Sequence, residues 1–213
     1  MAEALFFDNA SAVFVRLRLN ETAPFFFSFC LVQRRFCKCR ILLLLRKSDG
    51  MIIAGIDAST NKTGIAIFQD GKYVEHTLID LHKIKESYER IPKMMISICE
   101  YLEHHKVDKI IMEESMLTNN IHTVKMLSNL AGAVMYYAAR HNIEFQLDLP
   151  SAWRKRIGLT QGRSVKRDVL KAEAIEAVKL AYNMDLTDDE SESVLIARSG
   201  FDLPKIILDD DEI

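Results

Sequence analysis

Met51-Ile52-Ile53-Ala54-Gly55-Ile56-Asp57 runs through apolar and small residues and then stops on a carboxylate. A continuous apolar run of strand length fits a strand covered on both faces, at the centre of a sheet rather than its edge. Lys109-Ile110-Ile111-Met112-Glu113 repeats the pattern. A carboxylate at the end of a core strand is poorly solvated and well placed to converge with others. Crowded carboxylates repel and need a cation between them. Mg²⁺, a hard ion that prefers oxygen ligands, is the natural occupant, and such a site points to metal-assisted phosphodiester chemistry.

Working outward, Thr63 to Gln69 reads as a second strand. Asp70-Gly71 is a hairpin signal, and Lys72 to Asp80 alternates as a third strand. Helical spacing of Ile91, Met94, Met95, Ile98, Cys99 and Leu102 predicts a helix over 87–104. A strand over 107–112, a helix over 121–141 and a strand over 143–147 follow. Helices over 164–182 and 188–198 complete the pattern. This order predicts an α/β chain with a ribonuclease H-like mixed five-stranded sheet, three antiparallel strands plus parallel strands, flanked by helices. The first and fourth strands then lie side by side, which brings Asp57 and Glu113 together.

The last helix must cross nearby to supply further acids. Thr187-Asp188-Asp189-Glu190 has the form of a capping box, and acids at a helix N-terminus are favoured by the dipole. Capping alone therefore accounts for any one of them. Asp189 and Glu192, three apart, share a face, and the small, apolar Ser193-Val-Leu-Ile-Ala197 that follows lets the helix press against the sheet. Glu113 and Glu114 point in opposite directions, and Glu113 keeps the strand phase. Met126, Leu130, Val134 and Tyr137 form a stripe that is either core or dimer interface. His122 and His141 have no partner at useful spacing and read as surface residues.

The net charge of −2 conceals an uneven distribution. Residues 1–50 carry eight of the 28 basic and four of the 30 acidic residues, leaving 20 against 26. Within that acidic remainder, Arg154, Lys155, Arg156, Arg163, Lys166, Arg167 and Lys171 form a basic stripe broken by Asp168 alone. Such a stripe is either a solvated helix face or a nucleic-acid contact beside the acidic site. Trp153, the single tryptophan, either stacks on an exposed base or anchors packing. The four cysteines make no CxxC pair, so a reducing cytoplasm is the default.

Residues 1–50 differ in composition from the rest and are read as an extension without assigned function. Met51, which opens the first core strand, is an alternative start. Arg34, Arg35, Lys38 and Arg40 interrupt the apolar runs, so no stretch reaches the roughly 18 uncharged residues of a membrane span. Residues 51–213 form the nuclease domain of this reading.

Ile53-Ala-Gly-Ile-Asp57 with Thr63-Gly64, Ile110-Ile-Met-Glu113 and Asp189-Glu-Ser-Glu192-Ser-Val-Leu-Ile-Ala197 resemble the RuvC-like Holliday junction resolvases, particularly the phage-type branch. Pro150-Ser-Ala-Trp153-Arg154-Lys155 and Gly158-Leu159 resemble the segment after that family's fifth strand. The resemblance implies a homodimeric structure-specific endodeoxyribonuclease of DNA recombination and repair that cuts four-way junctions. It implies two Mg²⁺ per subunit, with Mn²⁺ as a substitute, and Asp57, Glu113, Asp189 and Glu192 as catalytic metal ligands. Trp153, Arg154, Lys155, Arg163, Lys166 and Arg167 are the expected DNA contacts, with Lys166 or Arg167 also able to neutralise developing charge at the phosphate. Two departures stand out. Glu192 replaces an Asp usual in the bacterial enzymes, and Met116 or Leu117 replaces an aromatic wedge, so forks or flaps join the expected substrates. The rival readings are a non-catalytic branched-DNA-binding protein and a nuclease of the same fold acting on RNA or RNA–DNA hybrids.

Overall fold

The computed structural model describes residues 4–8, 11–15, 50–115, 120–162 and 164–208. The chain divides into two compact units, Met1–Asp49 and Gly50–Ile213. In the first, β1 (Ala4–Asp8) and β2 (Ser11–Val15) pair antiparallel, a hairpin the sequence pattern did not predict.

The second unit carries β3 (Ile52–Ala58), β4 (Lys62–Gln69), β5 (Lys72–Asp80), β6 (Lys109–Glu113) and β7 (Glu144–Asp148). These form one sheet in the order β5-β4-β3-β6-β7. β3 pairs antiparallel with β4 and parallel with β6, and β6 pairs parallel with β7. This is the expected ribonuclease H-like arrangement. Asp70 and Gly71 turn the β4–β5 hairpin with φ of 50° and 76°, the left-handed geometry that Asp-Gly adopts readily.

Among the described residues, five helices cover the two faces: α1 (Ser87–His105), α2 (Ile121–His141), α3 (Pro150–Ile157), α4 (Arg167–Tyr182) and α5 (Asp188–Arg198). None of the described helices is long and apolar enough to cross a membrane. Alternation along the strands sorts side chains between two cores. Ala54, Ile56, Ile110 and Met112 pack with Met94, Ile98, Leu130 and Val134 of α1 and α2. Ile53 and Ile111 pack with Trp153, Ala174, Val178 and Val194 of α3, α4 and α5. The stripe on α2 is therefore core: Met126, Leu130, Val134 and Tyr137 are all buried. Asp57 and Glu113 have the parity of Ile53 and Ile111, so both sit on the α5 face.

Two boundaries differ from expectation. Pro150-Ser-Ala-Trp153 opens a separate helix, α3, with proline in its first turn and Gly158 at φ 93° closing it. The helix predicted from Ser164 begins at Arg167 instead. Ser164 takes φ 64° and Lys166 is extended, so neither continues a right-handed helix.

Candidate active site

The site lies where β3 and β6 end beneath the first turns of α5, and two glycines determine how close that helix comes. A Cβ on Gly55 would lie 2.2 Å from the backbone nitrogen of Ala197 and 2.5 Å from the carbonyl oxygen of Ser193. A Cβ on Gly64 would lie 2.3 Å from the Asp189 carbonyl oxygen. The backbone of α5 thus rests directly on β3 and β4, closer than side chains at those positions would permit. The capping box forms as predicted. The Thr187 backbone N–H donates to Glu190 Oε2 at 3.0 Å, which leaves Asp189 and Glu192 to face the sheet.

The electrostatics tie Glu113, Asp189 and Glu192 to Asp57. Burial raises the Asp57 carboxyl well above its ordinary value, and Glu192, Glu113 and Asp189 raise it further against the opposing pull of Lys171. Burial and Glu192 push Glu113 up to about 7, opposed by the Trp153 hydrogen bond, Arg154 and Arg167. Burial raises Asp189, with Asp188 adding to it. Burial likewise raises Glu192, although Arg154 opposes the shift. A set of neighbouring carboxylates, each resisting ionisation, lacks positive charge.

Two cations of α4 act on this negative site. Lys171 donates to Asp188, holding that carboxyl below its ordinary value. Lys171 and Arg167 lie one helical turn apart and both act on Asp189 and Glu192. The sequence singled out Arg167 and missed Lys171, although both stand at helical spacing in the basic stripe.

Trp153 and Arg154 require correction as DNA contacts. Trp153 is fully buried, and its indole Nε1 donates to Glu113 Oε2 at 2.7 Å. Arg154 is 2% exposed and donates to Glu192 Oε1 at 2.8 Å and to Glu173 Oε2 at 3.1 Å. Neither can stack on a base or reach a phosphate. Lys155, Lys166 and Arg167 are exposed. Arg163, Met116 and Leu117 lie outside the described residues. Glu114 is exposed beyond the end of β6, as the strand phase requires.

An all-oxygen donor set fits a hard divalent cation. Among the described residues no group of three acids, histidines or cysteines is already arranged to hold one. The carboxylates are gathered without being closed around a point, and their shared deficit of positive charge is what a cation would relieve.

The family model of the crossover junction endodeoxyribonuclease RuvC matches residues 53–188. The chain belongs to the RuvC family. A RuvC crossover junction endodeoxyribonuclease from Nocardioides sp. is 24% identical over 149 residues, spanning 62% of this chain and 84% of that relative. The solved structure of T. thermophilus RuvC in complex with a Holliday junction substrate aligns with TM-score 0.57 at 14% identity, covering 70% of this chain and 91% of its own. A second Thermus thermophilus RuvC structure aligns at 0.56 and 14%, covering 70% and 92%. At such identities the structural likeness speaks for the RuvC fold. The RuvC family match ends at Asp188, so the placement of Asp189 and Glu192 in this RuvC-family site rests on the geometry above.

The raised carboxyls predict an unusual pH response. Glu113 ordinarily titrates near 4.5 and here near 7, so the fold favours its protonated form. The stability this contributes is complete below the lower value and is lost as pH rises through the upper. A cation-free preparation is expected to lose stability as pH rises from about 5 to about 8. Urea unfolding across that range reads the loss, and added Mg²⁺ at the alkaline end should reverse it. Stability that rises with pH over this window would contradict the site electrostatics.

Proposed function

We propose that this chain is a metal-dependent endonuclease that cuts branched DNA, four-way junctions foremost, working as a homodimer with Mg²⁺. The observation that carries the proposal is that Asp57, at the end of β3, feels the charges of Glu113 on β6 and of Asp189 and Glu192 on α5.

Those four side chains would hold the divalent ions, with Mn²⁺ as a substitute. When bound, such ions lower the pKa of an attacking water and stabilise the leaving oxygen. The protein's own residues account for the rest. Packing of α5 on Gly55 and Gly64 holds Asp189 near Asp57 before substrate arrives. Arg167 and Lys171, which act on Asp189 and Glu192, would offset the charge that builds on the scissile phosphate. Lys155 and Lys166, both exposed, would track the DNA backbone. On α2, Ile121, Met135 and Tyr136 leave apolar area exposed, which a second copy would cover.

Cleavage of a four-way DNA junction, a fork and an RNA–DNA hybrid under Mg²⁺ tests the reading. Cutting of the junction supports it, whereas cutting confined to the hybrid assigns a different nuclease. Binding without nicking in either Mg²⁺ or Mn²⁺ assigns a non-catalytic protein. Lys155→Ala and Lys166→Ala should each weaken junction binding and reduce the salt slope by about one. Unchanged salt dependence in both would remove these lysines from the DNA path.

A further inference from the structure

Trp153 and Arg154 are consecutive residues of α3, yet each grips a different acid of the site. Trp153 donates its indole N–H to Glu113 at the end of β6. Arg154 donates through Nη2 to Glu192 on α5 and to the Leu170 carbonyl oxygen of α4, and through Nη1 to Glu173 of α4. The guanidinium also lies over the Trp153 ring, 4.7 Å from its centroid. Successive helical residues diverge by about 100°, so one helix between β6 and α5 can reach both.

We propose that Trp153 and Arg154 form a positioning pair that sets the rotation of Glu113 and Glu192 by holding one oxygen of each, leaving the other for a divalent cation. This rests on the reading of those acids as cation ligands. Each donor takes one oxygen of its carboxylate, Oε2 of Glu113 and Oε1 of Glu192, and a carboxylate has two. Ligand carboxylates held in this way by outer partners are a general feature of metal sites.

A purely structural role explains the pair poorly. An ion pair this deeply buried adds little stability, and apolar residues of similar volume usually serve as well or better. What apolar residues cannot do is hold a carboxylate at a set rotation. Arg154 also ties Glu192 to α4, the helix that carries Arg167 and Lys171, and so sets the spacing between the acids and cations of the site. A lysine cannot reproduce that grip, because it lacks the planar fork that bridges Glu173, Glu192 and a carbonyl at once.

The single tryptophan makes the test direct. The indole N–H resonance of the ¹⁵N-labelled full chain should move on titration with Mg²⁺ alone, following the calorimetric binding curve. Trp153→Phe keeps a ring and removes the donor. It should bind Mg²⁺ about tenfold more weakly, with lower kcat on the junction and unchanged KM, and Arg154→Lys should change in the same direction. An indole resonance that stays fixed through Mg²⁺ saturation overturns the proposal, even if neither variant folds. So does a folded Trp153→Phe with Mg²⁺ affinity within twofold of the parent. A parent chain whose indole responds to Mg²⁺ but which cuts no DNA refutes the nuclease reading and leaves the pair standing. One that cuts DNA while its indole stays fixed refutes the pair alone.

Discussion

Asp57→Asn should cut a four-way DNA junction at least about 10³-fold more slowly than the parent chain, a barrier increase of about 4 kcal/mol, while binding the junction as tightly. Asp57 occupies the centre of the site: the other three acids all act on it, and burial penalises its charge more than any of them does. The amide keeps the shape and removes the charge. Its second expected effect has the opposite sign, because a neutral group escapes the repulsion and desolvation that Asp57 endures. In the absence of divalent ions at alkaline pH, the variant should therefore melt at a higher temperature than the parent. Lost activity with gained stability marks a residue retained for function at a cost to the fold. Cleavage within tenfold of the parent rate would exclude Asp57 from the reaction.

Gly55→Ala carries the largest expected effect on the fold. The added methyl would meet the Ala197 nitrogen at 2.2 Å, the Ser193 oxygen at 2.5 Å and the Ala197 Cα at 2.7 Å. All three are backbone atoms of a buried helix, so no side-chain rotation can relieve the clash. The loss should reach or exceed the upper end of the usual overpacking range, about 3 kcal/mol. Gly64→Ala presses instead on the Asp189 carbonyl, so it should displace that acid from Asp57 and reduce cleavage more than stability. Gly132 on α2 provides the control. A Cβ there meets nothing within 4 Å, and its alanine variant should gain about 0.5–1 kcal/mol. Thermal melts of the three proteins decide the matter. A Gly55→Ala chain that melts with the parent would show that α5 does not press on β3.

The same glycines illustrate what the sequence made legible and what it did not. Alternation and run length were enough to order the sheet and to choose Glu113 over Glu114, because strand parity is a local property. The capping box at Thr187 was local too, and it formed. Gly55 and Gly64 offered a further signal, since glycine inside a strand marks close approach of another backbone. That signal names no partner, and only the fold identifies α5. Trp153 proved the packing anchor of its two readings, whereas Arg154 was misjudged because Arg-Lys-Arg reads as a solvated stripe. The acids that draw Arg154 inward, Glu173 and Glu192, lie 19 and 38 residues downstream. No window of local pattern spans that distance, so burial of one basic residue among several exposed ones could not be foreseen.

The helix that brings Asp189 and Glu192 follows every strand of the sheet in chain order. During synthesis the ribosome therefore releases a nearly finished sheet bearing Asp57 and Glu113 well before the last two acids emerge. On the proposed reading, a nascent or prematurely terminated polypeptide would not cut DNA, and cleavage competence would arrive with the final docking event.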